Sequence, residues 1–255
     1  MAIVTFTTDF GNDSHNLAAL KGAILSKKPE YHFTGISNTI NNYDIEHAAY
    51  VLANSFNFFP QDTIHLILVN LFYAKKLRFL ILRKNGYYFI APDNGVLSLL
   101  FKDLDAEELY YVPYGNTTGD FYHILSGIIS GIEPGTPLEE KFEPAVNVVK
   151  KISLQPVFSG DSVRATVMFI DKFGNAVTNI KKDFFEQAAG GRKFKLYYSP
   201  KNHIDTIHAK YSDVPFGEEL CLFNSAGYLE IAVYMDSAEK ILGLHKNFTV
   251  NIVFE

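Results

Sequence analysis

The texture of the chain changes once, near residue 150, and that change limits what it can fold into. Before it, strand-like and helix-like runs alternate. Ile3 to Thr7 is β-branched and aromatic, and Asp13 or Ser14 can cap a helix whose apolar residues Leu17, Leu20, Ile24 and Leu25 recur at helical spacing. Tyr31 to Ile36 reads as the next strand. Asp44 then precedes a second amphipathic helix, carried by Ile45, Ala48, Ala49, Leu52 and Phe56 and stopped by Pro60. Thr63 to Val69 is almost wholly apolar, as expected of a strand covered on both faces. The order so far is βαβαβ. Arg78 to Arg83 and Tyr87 to Ala91 flank Asn85-Gly86, a strong hairpin signal, and a helical patch (Val96 to Phe101), a strand (Leu109 to Val112) and a helix (Asp120 to Ile132) follow.

Beyond residue 150 helical periodicity nearly vanishes. Short strand-like runs take over at Val163 to Ile170, Phe194 to Tyr198, Leu220 to Phe223, Tyr228 to Val233 and Phe248 to Phe254, the pattern of a small barrel or sandwich. The expectation is an α/β amino-terminal domain over 1–150 with a mostly parallel central sheet, then a smaller all-β domain over 151–255, joined by a linker near Pro144 to Pro156.

A chain of 255 residues with 47% hydrophobic and 20% charged residues has enough apolar material for a sizeable core. The net charge of −5 argues against a nucleic-acid partner, which favours a basic face. Cys221 is the only cysteine, so neither an internal disulfide nor a thiolate metal cluster can form, and the eight histidines make no paired ligand motif. No basic-then-apolar leader opens the chain, and no apolar stretch of about 18 residues occurs. A cytoplasmic protein with no membrane partner and no metal is expected.

Two acidic, Gly-containing turns echo each other: Asp9-Phe10-Gly11-Asn12 after the first strand, and Asp171-Lys172-Phe173-Gly174-Asn175 after Val163 to Ile170. Such turns let backbone and short polar side chains approach a ligand closely. Taken singly, each is an ordinary turn. Together they point to one polar ligand clamped between two domains. Glu230 falls in an alternating strand, where exposure is the default, and Asp93 and Asn94 read as turn residues.

With Thr8-Asp9-Phe10-Gly11, Lys21-Gly22, Ala91-Pro92-Asp93-Asn94-Gly95, Asp171 to Asn179 and Asn224-Ser225 followed by Gly227 to Ala232, the chain resembles the S-adenosylmethionine (SAM) hydroxide adenosyltransferases, hydrolases related to the fluorinase and chlorinase enzymes. The resemblance implies an α/β amino-terminal domain, a β-barrel carboxy-terminal domain, and homotrimers that bind a small nucleoside ligand between subunits. SAM would be substrate or ligand, with no separate cofactor. By motif position Asp9 would hold the ribose hydroxyls, since a carboxylate accepts from both members of a cis diol. Tyr43 would pack on the nucleoside. Ser14, Asp171 and Asn175 would bind the methionine amino and carboxylate groups, and Ser225 would line the same pocket.

The chain departs from the family where the chemistry lies. In place of Val-Asp-Pro-Gly-Val-Gly and an arginine pair it carries Val69 to Arg78, so the catalytic Asp becomes Asn70, the first Arg becomes Leu77, and Phe72 and Tyr73 replace small residues. The family histidine of the third motif becomes Asp120, and the earlier Thr-His pair becomes Ser37-Asn38. Asn70 cannot take a proton at neutral pH, and Arg78, one residue along an extended strand, points to the other face. Asp120 and His123, three residues apart, can share a helix face as a substitute water-activating pair; the alternative is that Asp120 caps the helix and His123 packs or is solvated. Phe121 stands where the fluorinase serine would support halide, so halogenation is not implied. SAM hydrolysis to adenosine and methionine, a catalytically silent SAM or adenosine module, and a structural trimer whose pocket is filled are the readings left open.

Overall fold

The computed structural model describes residues 2–71, 77–101, 103–104, 108–112, 121–133, 135 and 137–255. It divides into two compact units, Met1–Ile152 and Ser153–Glu255.

The first unit contains β1 (Ile3–Thr8), α1 (His15–Leu25), β2 (His32–Ser37), α2 (Ile45–Ala53), β3 (Ile64–Leu68), β4 (Phe79–Lys84), β5 (Tyr87–Pro92), α3 (Val96–Leu100), β6 (Leu109–Val112), α4 (Phe121–Ser130) and β7 (Glu143–Pro144). Among the described residues its seven strands form one sheet in the order β2-β1-β3-β5-β4-β6-β7. The first four pair in parallel. β4, β6 and β7 extend the sheet antiparallel, so it is mixed. The antiparallel turn begins at the Asn85-Gly86 hairpin, where both residues take positive φ (54° and 79°), as a tight two-residue turn demands.

Helices cover both faces. α1 and α4 bury Leu17, Leu20, Ile24, Leu125 and Ile129 against one side, and α2 and α3 bury Ala48, Leu52, Val96 and Leu97 against the other. β3 is buried at every position because it lies between them. α2 stops at Ala53, well before Pro60, because the Asn54 and Ser55 side chains bond back to the Tyr50 and Val51 carbonyls; Phe56 falls in a separate short turn. Since α1 and α2 cross on opposite faces, the chain leaves β1 in one direction and reaches β3 from the other. The crevice at the carboxyl ends of β1 and β3 is therefore a topological switch point, where open α/β sheets bind ligands.

The second unit contains β8 (Val157–Ser159), β9 (Ser162–Ile170), β10 (Ala176–Lys181), α5 (Lys182–Ala189), β11 (Phe194–Tyr197), β12 (His203–Ile204), β13 (Ile207–His208), β14 (Glu219–Phe223), β15 (Tyr228–Val233), α6 (Ala238–Leu242) and β16 (Thr249–Phe254). Its nine strands make one sheet, ordered β12-β11-β16-β9-β10-β15-β14-β13 with β8 added on β9, curled into a near-closed half-barrel around Val163, Val167, Ile180, Leu196, Ile231 and Ile252. The unit is not purely strands. α5 starts directly from β10 without a side-chain cap and buries only Phe185, Ala188 and Ala189, too short an apolar stripe to stand out in the sequence. Among the described residues no helix is long and apolar enough to cross a membrane.

Among the polar groups buried in the first unit is an imidazole. His65 on β3 is fully buried; its Nδ1 lies 2.7 Å from Thr5 Oγ1, and its ring is enclosed by Phe56, Phe59, Tyr87 and Phe89. Nε2 has no hydrogen-bond partner among the described residues. A charged imidazolium would lose its hydration there, and burial lowers the pKa from 6.5 to about 4. The unfolded chain therefore takes up this proton first as the pH falls. The contribution of His65 to stability is complete above pH 6.5 and is lost progressively down to pH 4, by up to about 3 kcal/mol. Denaturant unfolding from pH 7 to pH 4 is expected to show that share of the acid destabilisation disappearing in His65→Phe; an unchanged pH slope would refute it.

Candidate functional site

Four loops leave the carboxyl ends of the parallel strands, and Asp9 stands at their centre. It follows β1, and its Oδ2 accepts two backbone hydrogen bonds, from Tyr43 N–H at 3.0 Å and from Asn70 N–H at 3.0 Å. Tyr43 lies in the loop after β2 and Asn70 in the turn after β3, and both have positive φ (64° and 51°). The Asp9 loop is tied to the same neighbour by Gly11 N–H to the Asn38 carbonyl (2.8 Å) and Ile40 N–H to the Thr8 carbonyl (3.1 Å). Among the described residues no donor reaches Asp9 Oδ1. Asp9, Gly11, Thr39, Ile40, Asn41 and Asn42 line a hollow of about 460 Å³.

The neighbouring residues fall as follows. Tyr43 is 73% exposed, so it is not a core residue, and its ring is available to a ligand. Ser14 is the N-cap of α1; Oγ accepts from Asn16 N–H at 3.2 Å, which leaves its hydroxyl proton free to donate. Leu77 is buried with Phe79 and Ile81 against the α1 and α4 side. Arg78 emerges on the other face, pairs with Asp93 at 2.5 Å and stacks on Tyr111. Neither residue lines the Asp9 hollow. His123 is exposed in the first turn of α4, and its carbonyl accepts from Lys27 Nζ and Ser126 Oγ. Asp120, Phe72 and Tyr73 lie outside the described residues.

In the second unit Asp171 closes the turn between β9 and β10 on itself. Oδ1 accepts from Phe173 N–H (2.8 Å) and Asn175 N–H (2.9 Å), and Oδ2 accepts from the Asn175 side-chain amide at 3.1 Å. Asp171 and Asn175 are therefore neighbours. Ser225 is not beside them: it is exposed at the tip of the β14–β15 turn, which meets the far end of β10 where Lys182 N–H bonds the Gly227 carbonyl. Glu230 sits between the two turns. It is 3% exposed, contrary to the exposure expected from strand alternation, because the face of β15 turned away from the barrel core still supplies partners: Tyr211 Oη donates to Oε1 at 2.6 Å and Asn224 Nδ2 to Oε2 at 3.1 Å. Burial pushes its carboxyl pKa up, and the charge of Asp171 adds to the rise. Among the described residues no group of three His, Cys, Asp or Glu side chains could hold a metal ion.

The amino-terminal model of the SAM hydroxide adenosyltransferases matches residues 4–123, and the carboxy-terminal model matches residues 165–251. The chain belongs to this family. It is 29% identical to the (R)-S-adenosyl-L-methionine hydrolase of Methanocaldococcus jannaschii, over 99% of this chain and 96% of that one. A fluorinase of Actinoplanes is 23% identical over 90% of each chain. The crystal structure of an uncharacterized conserved protein from Thermotoga maritima superposes with a TM-score of 0.84 at 25% identity, covering 99% of this chain and all of that one. SAM- and adenosine-type chemistry is thus the family setting of this chain.

Sequence reasoning read Asn94 and Gly174 as turn residues without their long-range partners. Asn94 bridges to the Asn70 turn in the first unit, and Gly174 closes the Asp171 turn in the second. Gly174 has φ 85°, and a Cβ there would lie 2.1 Å from Ser237 Oγ and 3.0 Å from Ser237 Cα at the start of α6. Gly174→Ala is expected to cost about 2 kcal/mol or more, from the positive φ and the clash together. Denaturant unfolding measures it, and a loss under about 0.5 kcal/mol would show that the turn adapts.

Proposed function

We propose that the protein binds SAM or adenosine through the Asp9 carboxylate, the ribose hydroxyls donating to it, and that it hydrolyses SAM no faster than the spontaneous background. One observation carries the binding: Oδ2 is braced by two backbone N–H groups while no described residue donates to Oδ1, on a carboxylate that lines a hollow. A braced carboxylate with a spare oxygen is preorganised to accept a hydroxyl. In this reading Tyr43 covers the nucleoside, Ser14, Asp171 and Asn175 bind the methionine portion, and Ser225 lines a separate part of the pocket wall. The ligand would lie between the first unit of one chain and the second unit of another in a cytoplasmic homotrimer. Family membership supports that part of the reading.

The family reaction sets the requirement for turnover. Water forms a bond to the 5′ carbon, the carbon–sulfur bond breaks, methionine leaves with the electron pair, and the attacking water gives up a proton. Asn70 offers no base for that proton at neutral pH, and its backbone N–H is already bonded to Asp9. Leu77 is buried in the core and Arg78 is committed to Asp93, so neither supplies the missing cation. Hydrolysis is the second reading, favoured by the named hydrolase that this chain matches end to end.

Calorimetry is expected to show binding of adenosine or SAM that Asp9→Ala weakens at least about tenfold, as for a hydrogen bond to a charged group. No heat at millimolar ligand would defeat the proposal. In the same preparation chromatography should find no adenosine from SAM above background; formation abolished by Asp9→Ala would establish the hydrolase instead.

A further inference from the structure

Asp93 and Asn94 follow β5 and are 0% and 3% exposed. The Asn94 side chain uses both ends of its amide. Oδ1 accepts from Val96 N–H at 3.1 Å at the start of α3, and Nδ2 donates to the Val69 carbonyl at 3.0 Å and the Asn70 carbonyl at 3.4 Å. Asn70 is in the left-handed region, uncommon for a non-glycine residue although asparagine enters it more readily than most. In that conformation its N–H reaches Asp9 Oδ2. Asp93 anchors the arrangement: Oδ2 receives Arg78, Oδ1 receives Val149 N–H at 2.8 Å, and its own N–H bonds the Arg78 carbonyl at 2.8 Å. The buried pair thus joins β4, the turn after β3, α3 and the Val149 segment.

We propose that Asn94 is a positioning residue for the Asp9 carboxylate, holding the Val69–Asn70 turn in the form that aims the Asn70 amide at Asp9, with Asp93 fixing Asn94 in place. This rests on the nucleoside reading above and deepens it. Asn94 acts through Asn70 and touches no ligand. A residue that only stabilises the fold would loosen the whole sheet when removed; a positioning residue loosens one amide and one binding site.

The test compares wild type with Asn94→Ala and Asn94→Ser, the serine keeping an acceptor near Val96 N–H without reach to the Val69 and Asn70 carbonyls. Proton–nitrogen NMR and amide hydrogen exchange are read at Asn70, with Phe6 and Leu66 in the sheet centre as controls. The Asn70 amide proton should move upfield and exchange about tenfold faster, the controls should hold, and adenosine affinity should fall about tenfold. An unchanged Asn70 signal, acceleration in step with Phe6 and Leu66, or loss of the folded state in both variants would overturn the proposal. If wild type binds no adenosine, the nucleoside reading fails, while the Asn70 signal still decides whether Asn94 positions Asp9.

Discussion

A single carboxylate oxygen holds the candidate site together. Asp9 Oδ2 receives the Tyr43 and Asn70 amides from loops on either side of β1, and both donors belong to residues in left-handed conformations. Backbone N–H groups turned inward need an acceptor, and a charged one makes the stronger bond. The parallel order β2-β1-β3 brings the three loops to one edge, and the opposite crossings of α1 and α2 open the crevice between them. Fold and site therefore meet at the same residue.

Three residues at altered positions, Asn70, Leu77 and Arg78, are engaged in structure. Leu77 extends the apolar row of Phe79 and Ile81, where an arginine would have to enter the core. Arg78 takes the opposite face and becomes the partner of the buried Asp93 carboxylate, beside the Tyr111 ring. An ion pair with one buried member is costly to break, because the remaining carboxylate would be left without its cation. Asn70 serves through its backbone, its N–H donating to Asp9 Oδ2. Leu77 and Arg78 are thus engaged away from Asp9, while Asp9 Oδ2 is held by two backbone amides.

Much of this was legible in the sequence. β1, β3, the Asn85-Gly86 hairpin and α4 stood out because local patterning and tertiary burial agree there, and the caps Ser14 and Asp44 were visible as residue types. The end of α2 was misread because side-chain bonds from Asn54 and Ser55 stop it before any proline. Glu230 was misread because alternation tells which residues share a face but not that one face finds a tyrosine and an asparagine to bury a carboxylate against. Asn94 looked like a turn residue since its partners, Val69 and Asn70, are distant along the chain. Long-range polar bonds of this kind leave no periodic trace.

The most direct test of the central claim, that Asp9 reads the ribose diol, compares adenosine with its 2′-deoxy and 3′-deoxy forms by calorimetry. The account predicts that loss of either hydroxyl weakens binding about tenfold or more in wild type, and that the discrimination vanishes in Asp9→Ala. Equal affinity for all three nucleosides in wild type would contradict it.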